Sequence, residues 1–244
     1  MLDVLYEDNH LLAVNKPAML PTMGVVADEP SLLTAAKEYI RRKYAKPGEV
    51  YLGIVSRLDA PVTGVVLIAR TSKAAARLTE MFKKRDVEKT YWALVEGRVD
   101  PPAATLIHYL RKDERHRKVL VVESETPGAQ RAEMEYRVLR QDKETGRPGD
   151  TEQAETQPSP CLPVSLSPFL SLLEIQLLTG RKHQIRVQLA DAGWPVVGDR
   201  KYGSRRPFPL GIALHSRRIA FEHPVKKSPI EIEAPLPAAW QGIT

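Results

Sequence analysis

Arg57-Leu58-Asp59, followed by Thr63-Gly64, sets a carboxylate two residues after a guanidinium. Short apolar runs flank the pair, Ile54-Val55 before it and Val65-Val66-Leu67-Ile68 after it. Runs of this kind read as buried strands, so Asp59 belongs on the connection at their ends. A carboxylate fixed there beside a cation can act as a nucleophile or a base. An isolated Arg-x-Asp is more often a plain ion pair, so the reading depends on what the rest of the chain brings to Asp59.

A second constellation lies downstream, in Leu178-Thr179-Gly180-Arg181-Lys182-His183-Gln184-Ile185-Arg186-Val187-Gln188-Leu189. It reads as a strand end, a turn allowed by Gly180 and a helix closed by Gly193 in the left-handed conformation. His183 and Arg186 share one helix face, and Ile185 and Leu189 face the core. Arg181, Lys182, His183 and Arg186 thus gather positive charge at a helix N-terminus, which suits an anion: a phosphate or a carboxylate such as Asp59. By itself His183 reads as a capping or backbone-contacting residue. Further basic clusters follow at Arg200-Lys201, Arg205-Arg206, Arg217-Arg218 and Lys226-Lys227. Recurrent cationic clusters fit a groove for a long polyanion better than a single phosphate site.

The elements that must position these groups follow from pattern. Val4-Leu5-Tyr6 and Leu11 to Val14 read as two strands, the second closed by Pro17. Ser31 to Lys46 reads as a helix capped by Ser31, with Leu32, Leu33, Ala36, Tyr39 and Ile40 inward and Arg41, Arg42, Lys43 and Lys46 at its negative end. Ser72 to Lys84 reads as a second, with Ser72 as cap and a solvated Lys83-Lys84-Arg85 end. Lys89 to Val95 alternates as a strand, placing Tyr91, Ala93 and Val95 on one face. Strands follow at Val119 to Val122, Ala132 to Leu139, Phe169 to Leu178 and Leu214 to Pro224. Residues 141–168 are rich in Pro, Gly, Ser, Thr and Glu, and read as a flexible insertion between two strands. Many strands and few helices, without regular βαβ spacing, indicate an α+β fold with a mixed or antiparallel sheet.

The 244 residues are long enough to bury a core, and read as one domain. The 43% hydrophobic and 27% charged content is that of a globular protein, and the net charge of +6 favours a polyanionic partner, nucleic acid first. No apolar run approaches the ~18 residues of a membrane span, and the acidic start of the chain is unlike a signal peptide. Cys161, the one cysteine, has no partner for an internal disulfide and no histidine nearby. A cytoplasmic location is expected. His215 and His223 lack metal-ligand spacing, so no metal is expected.

Lys16-Pro17, Arg57-Leu58-Asp59 with Thr63-Gly64, Lys89-x-Tyr91, Thr179-Gly180-Arg181-x-His183-Gln184-Ile185-Arg186, Gly198-Asp199-x-x-Tyr202-Gly203 and Leu214-His215 with His223-Pro224 occur in that order. In this the chain resembles the RluA-type RNA pseudouridine synthases, from about Asp3 to about Pro235 with the insertion skipped. The resemblance implies a single α/β catalytic domain around a long, bent, mainly antiparallel sheet, with the cleft across its middle. It implies isomerisation of uridine to pseudouridine in ribosomal or transfer RNA, with neither cofactor nor metal. It assigns catalysis to Asp59, an active-site tyrosine to Tyr91, the aspartate's arginine partner to Arg186 and a hold on the flipped nucleotide to Arg57. Arg181 and His183 are expected beside the substrate. The match begins almost at Met1, so no separate N-terminal RNA-binding domain is expected; a monomer is the default.

The chain departs from the family at Ser56, at Ala60 to Thr63 and at Gln188, positions expected to touch RNA. Isomerisation breaks a glycosidic bond, turns the base and rejoins it through carbon. A base must be flipped out for this, and Tyr91 offers it an aromatic face. One carboxylate then serves as nucleophile or electrostatic partner, or removes a sugar proton, and Tyr91 is a candidate final proton acceptor. Two other classes compete: a catalytically silent RNA-binding protein on the same fold, and a glycoside hydrolase, which needs a second carboxylate opposite Asp59.

Overall fold

The computed structural model describes residues 2–24, 30–45, 47–141 and 169–240. Cys161, Lys46 and all but the first residue of the 141–168 insertion lie outside them. The described strands are β1 (Val4–Glu7), β2 (Leu11–Lys16), β3 (Gly53–Ile54), β4 (Thr63–Ala69), β5 (Glu88–Glu96), β6 (Ala103–Asp113), β7 (Lys118–Val122), β8 (Gln130–Gln141), β9 (Leu170–Leu177), β10 (Leu214–Glu222) and β11 (Pro229–Glu233). The helices are α1 (Leu32–Lys43), α2 (Ser72–Lys84) and α3 (Gln184–Asp191). This is the expected α+β class. One eleven-stranded sheet runs in the order β1-β2-β4-β10-β5-β9-β8-β6-β7, with β3 also on β4 and β11 also on β10. Its named pairs are antiparallel except β4 with β10.

The continuous apolar run of β4 is explained by helices on both of its faces. Val65, Leu67 and Ala69 pack with Ala74 and Leu78 of α2. Val66 and Ile68 pack with Leu32, Ala36 and Ile40 of α1. Each such side chain contributes roughly 1.5–3 kcal/mol by leaving water. A third core joins β5, β8 and β9 to α3 through Ala93, Leu94, Met134, Leu173, Ile185 and Leu189. Ala93, Leu94 and Val95 of β5 are all buried in this core, so the sequence alternation marks no wet face there.

Several local expectations need correction. Ser31 caps α1 and forms a full capping box with Thr34, but the cap of α2 is Thr71, not Ser72. Thr71 is extended and its hydroxyl accepts from the Ala74 N–H at 3.2 Å, whereas Ser72 is already helical. Strands β6 and β11 carry no clear pattern in sequence. Residues of β6 alternate only between exposed and half-buried along most of its length, so apolar and polar types mix on both faces. Gly193 is left-handed as expected, and at the other end of α3 the left-handed residue is His183, which is the N-cap and not part of the helix.

His215 and His223 serve the sheet. His215 Nδ1 meets the Thr63 hydroxyl at 2.7 Å inside the core. His223 Nδ1 accepts from the N–H groups of Val225 and Lys226, and Nε2 reaches Asp8 Oδ2 at 2.9 Å, which staples the β10–β11 turn to the loop after β1. Thr63 and Gly64 start β4 where it runs parallel to β10. Gly64 has φ +110, and a Cβ there would lie 2.2 Å from the Ser216 carbonyl oxygen. Gly64→Ala is therefore expected to destabilise the fold by more than about 2 kcal/mol, combining strain with a backbone clash. The measurement is the urea midpoint at unchanged m-value.

Candidate active site

Asp59 lies on the connection between β3 and β4, where the flanking apolar runs place it. Its backbone is held from three directions. The Thr22 hydroxyl donates to the Leu58 carbonyl at 2.8 Å and accepts from the Leu58 N–H at 3.1 Å. Lys16, fully buried at the end of β2, donates to the carbonyls of Ala60 at 3.0 Å, Pro17 at 2.8 Å and Leu20 at 2.8 Å. The Ile212 N–H donates to the Pro61 carbonyl at 3.2 Å, and the Val62 N–H closes a turn on the Asp59 carbonyl at 3.1 Å. Burial lowers the pKa of Lys16 to about 8, against the pull of the Asp59 charge. The position of Asp59 is thus a property of its backbone anchors before any side chain meets it.

Arg186 supplies the side-chain partner. Its Nη1 donates to Asp59 Oδ2 at 2.7 Å. The other edge of the same guanidinium makes a fork with Asp199, Nε to Oδ2 at 2.6 Å and Nη2 to Oδ1 at 2.9 Å. Arg186 and Asp199 are buried, while the Asp59 side chain keeps 26% of its exposure and opens to the cleft. Burial opposes the charge on Arg186, but the hydrogen bonds and charges of Asp199 and Asp59 outweigh it and raise its pKa. The anion expected at the start of α3 is therefore a pair of carboxylates that share one guanidinium.

His183 stands on the other side of Asp59, with Nε2 3.7 Å from Asp59 Oδ2. Its Nδ1 lies 2.6 Å from the Tyr202 hydroxyl, whose oxygen accepts from the Val119 N–H at 3.1 Å. With that oxygen occupied as an acceptor, the phenolic proton points at Nδ1, so the imidazole carries its own proton on Nε2, toward Asp59. Burial lowers the pKa of His183 to about 4, although the Asp59 charge acts the other way. His183 is thus a neutral donor and not one of the positive charges expected at this helix end. The Tyr202 ring also lies against the Arg186 guanidinium, 5.0 Å from ring centre to carbon.

Tyr91 lines the same cleft, which has a volume of about 900 Å³. Burial, followed by the nearby Asp59 charge, raises its pKa to about 12. At neutral pH the phenol keeps its proton and offers the cleft a ring and a donor. Arg57 and Arg181 are exposed at the cleft wall. Arg57 has no hydrogen-bond or ion-pair partner among the described residues, and Arg181 Nε donates to the Arg131 carbonyl at 3.1 Å. The structure thus gathers Asp59, Arg186, His183 and Tyr91 around one space and sets Arg57 and Arg181 at its edge.

Of the departures, Ser56, Ala60 and Val62 line the cleft, whereas Thr63 and Gln188 do not. Ser56 accepts from the Leu67 N–H at 2.9 Å, Thr63 bonds His215, and Gln188 is fully buried and donates to the Leu106 carbonyl at 3.0 Å. Asp199, Tyr202 and Lys16 were given no site role from sequence. Gly198-Asp199-x-x-Tyr202-Gly203 and Lys16-Pro17 were visible as motifs, but their partners lie far away in sequence.

The family model described as RNA pseudouridylate synthase matches residues 10–191. The tRNA pseudouridine synthase C of Vibrio cholerae is 30% identical over 255 residues, covering 100% of this chain and 94% of that protein. The ribosomal large subunit pseudouridine synthase C of the same organism is 30% identical over 242 residues, covering 96% of this chain and 66% of the relative. A solved human RNA pseudouridylate synthase domain containing 4 structure superposes with a TM-score of 0.71 at 23% identity, over 97% of this chain and 89% of that one, and so shares the fold. The chain belongs to the RNA pseudouridylate synthase family, in its RluA-type branch.

The hydrogen-bond chain through Tyr202 has a direct spectroscopic consequence. His183 is expected to stay neutral from pH 8 down to about pH 5, with its proton on Nε2, as read by ¹⁵N-resolved imidazole NMR. Tyr202→Phe is expected to release the tautomer into a mixture. Because the folded-state values of His183 and His215 are near 4, below the ordinary 6.5, the unfolded chain takes up protons first as pH falls. Both groups therefore reduce stability progressively as pH drops through that window.

Proposed function

We propose that this chain isomerises specific uridines to pseudouridine in ribosomal or transfer RNA, with Asp59 as the reacting carboxylate. The observation that carries the reading is an accessible carboxylate held on a buried, doubly paired guanidinium, at the bottom of a cation-lined cleft of about 900 Å³. Membership of the family and the likeness to synthases named for transfer and ribosomal RNA support the reaction and the substrate class.

In this reading a uridine flips into the cleft and lies against the Tyr91 ring, a contact worth ~1–3 kcal/mol per base. Arg57 holds the flipped nucleotide at the cleft mouth, and Arg181 and His183 border it. Asp59 meets the positive charge that develops at C1′ as its bond to N1 breaks. The uracil turns, C1′ bonds to C5, and the proton lost from C5 is balanced by one gained at N1. Substrate and product have the same atoms and oxidation state, so the stoichiometry requires no cofactor. Arg186 aims Asp59 through a charge-assisted hydrogen bond. A monomer is the default, and the single cysteine suits the cytoplasm.

Glycoside hydrolysis would require a second carboxylate opposite the first. Asp199, which shares Arg186 with Asp59, is 2% exposed with both oxygens engaged by Arg186, and it cannot deliver a proton to a leaving group. Among the described residues no His, Cys, Asp or Glu cluster is suited to a metal ion.

The test is to map pseudouridines in cellular RNA with and without this gene, then complement the deletion. The wild-type gene is expected to restore the missing positions. Asp59→Asn is expected to lower the rate by at least about 10³-fold with the fold retained. Normal modification by Asp59→Asn would sink the reading, and an RNA profile unchanged by the deletion would favour a silent RNA-binding protein.

A further inference from the structure

The cations around the cleft differ in what they already hold. Arg186 is committed to Asp59 and Asp199. Lys83 pairs with Glu80, Lys112 with Glu114, and Arg181 bonds a carbonyl. Arg57 and Lys182 are exposed and solvated. Lys89 alone among these cations is half-buried with no acceptor among the described residues. It is two residues before Tyr91 on β5, on the same side of the strand, so its stem leaves the backbone ~7 Å from that of the proposed base platform. Burial lowers its pKa, and so does the nearby Arg85, which ends α2 in the left-handed conformation.

A half-buried ammonium without an acceptor, next to a second cation, is unfavourable in the free protein. Burial removes hydration, and the like charge adds repulsion. Both costs vanish when an anion enters between them. Arg85 has Glu133 at 4.0 Å, but no carboxylate is paired with Lys89 among the described residues, and the occupant expected in a cleft that admits a polynucleotide is a phosphodiester. We propose that Lys89, with Arg85 behind it, forms a phosphate subsite that binds the backbone of the substrate strand next to the nucleotide flipped onto Tyr91. This rests on the RNA reading above and adds to it a fixed backbone contact, which sets the register of the strand relative to Asp59. The bland alternative is that Lys89 only covers apolar surface with its methylenes while its head stays in water.

The experiment measures the affinity of a twelve-nucleotide oligouridylate between 50 and 200 mM salt for four proteins: wild type, Lys89→Met, Lys89→Arg and Lys84→Met. Methionine keeps the apolar stem and removes the charge. Lys84 is an exposed helix residue outside the cleft lining and controls for net charge. One neutralised phosphate contributes about 0.7 to the slope of log affinity against log salt for a single strand. Lys89→Met is expected to lose about that much slope and to bind about tenfold more weakly at low salt, as for one lost charge-assisted hydrogen bond. Lys89→Arg and Lys84→Met are expected to keep the wild-type slope. An unchanged slope in Lys89→Met, an equal loss in Lys84→Met, or no binding by the wild type each overturns the subsite. These outcomes are independent of pseudouridine formation, so failure here and failure of the proposed activity are read separately.

Discussion

One guanidinium organises the site. Arg186 is buried between two carboxylates, and it makes a two-bond fork with Asp199 and one bond with Asp59. The fork is what gives the third bond a direction. A planar guanidinium fixed along one edge has only one orientation left for its remaining nitrogen. Lysine in its place would supply a charge without that geometry. Asp199 is enclosed with both oxygens on Arg186, so the carboxylate left open to the cleft is Asp59. The buried Asp199 thus acts on the cleft through Arg186 and has no need to touch a substrate.

The fold is arranged to bring these groups together from far apart in the chain. Asp59 comes from the connection before β4, Arg186 from α3, and Asp199 and Tyr202 from the loop that follows α3. The meeting of β4 with β10 at Gly64 and Ser216 holds the first group beside Tyr91 of β5, since Ser216 pairs with Tyr91 across the next ladder. Lys16 reaches from β2 to the Ala60 carbonyl, so the connection that carries Asp59 is tied to β2 as well. The result is a carboxylate whose backbone and side chain are fixed independently. This is the preorganisation that electrostatic catalysis requires.

Much of this was legible in sequence, where the signal was local. Asp59 between two apolar runs, the Ser31 cap, Gly193 after α3 and the buried character of β4 each depend on neighbours a few residues away. Arg186 as the partner of Asp59 came with the family resemblance. What escaped depends on long-range contacts. Asp199 looks like any loop aspartate until its fork with Arg186 is seen. Tyr202 gains its role from the Val119 N–H, 83 residues away. The neutral state of His183 follows from burial, which a run of basic neighbours disguises in sequence. Gln188, expected to touch RNA, is buried against the Leu106 carbonyl of β6, while Ser56 stays in the cleft lining with its hydroxyl accepting from the Leu67 N–H. The strand β6 is hidden in sequence because its two faces are unevenly half-buried.

The central claim is that the orientation of Asp59 by Arg186, beyond the charge alone, makes the carboxylate reactive. The most direct test is the single-turnover rate of pseudouridine formation by Arg186→Lys, measured with its RNA affinity and melting temperature. The account predicts a rate lowered by at least about tenfold, as for loss of one charge-assisted contact to the reacting group, with RNA affinity retained in a folded protein. A folded Arg186→Lys protein that turns over at the wild-type rate would contradict it.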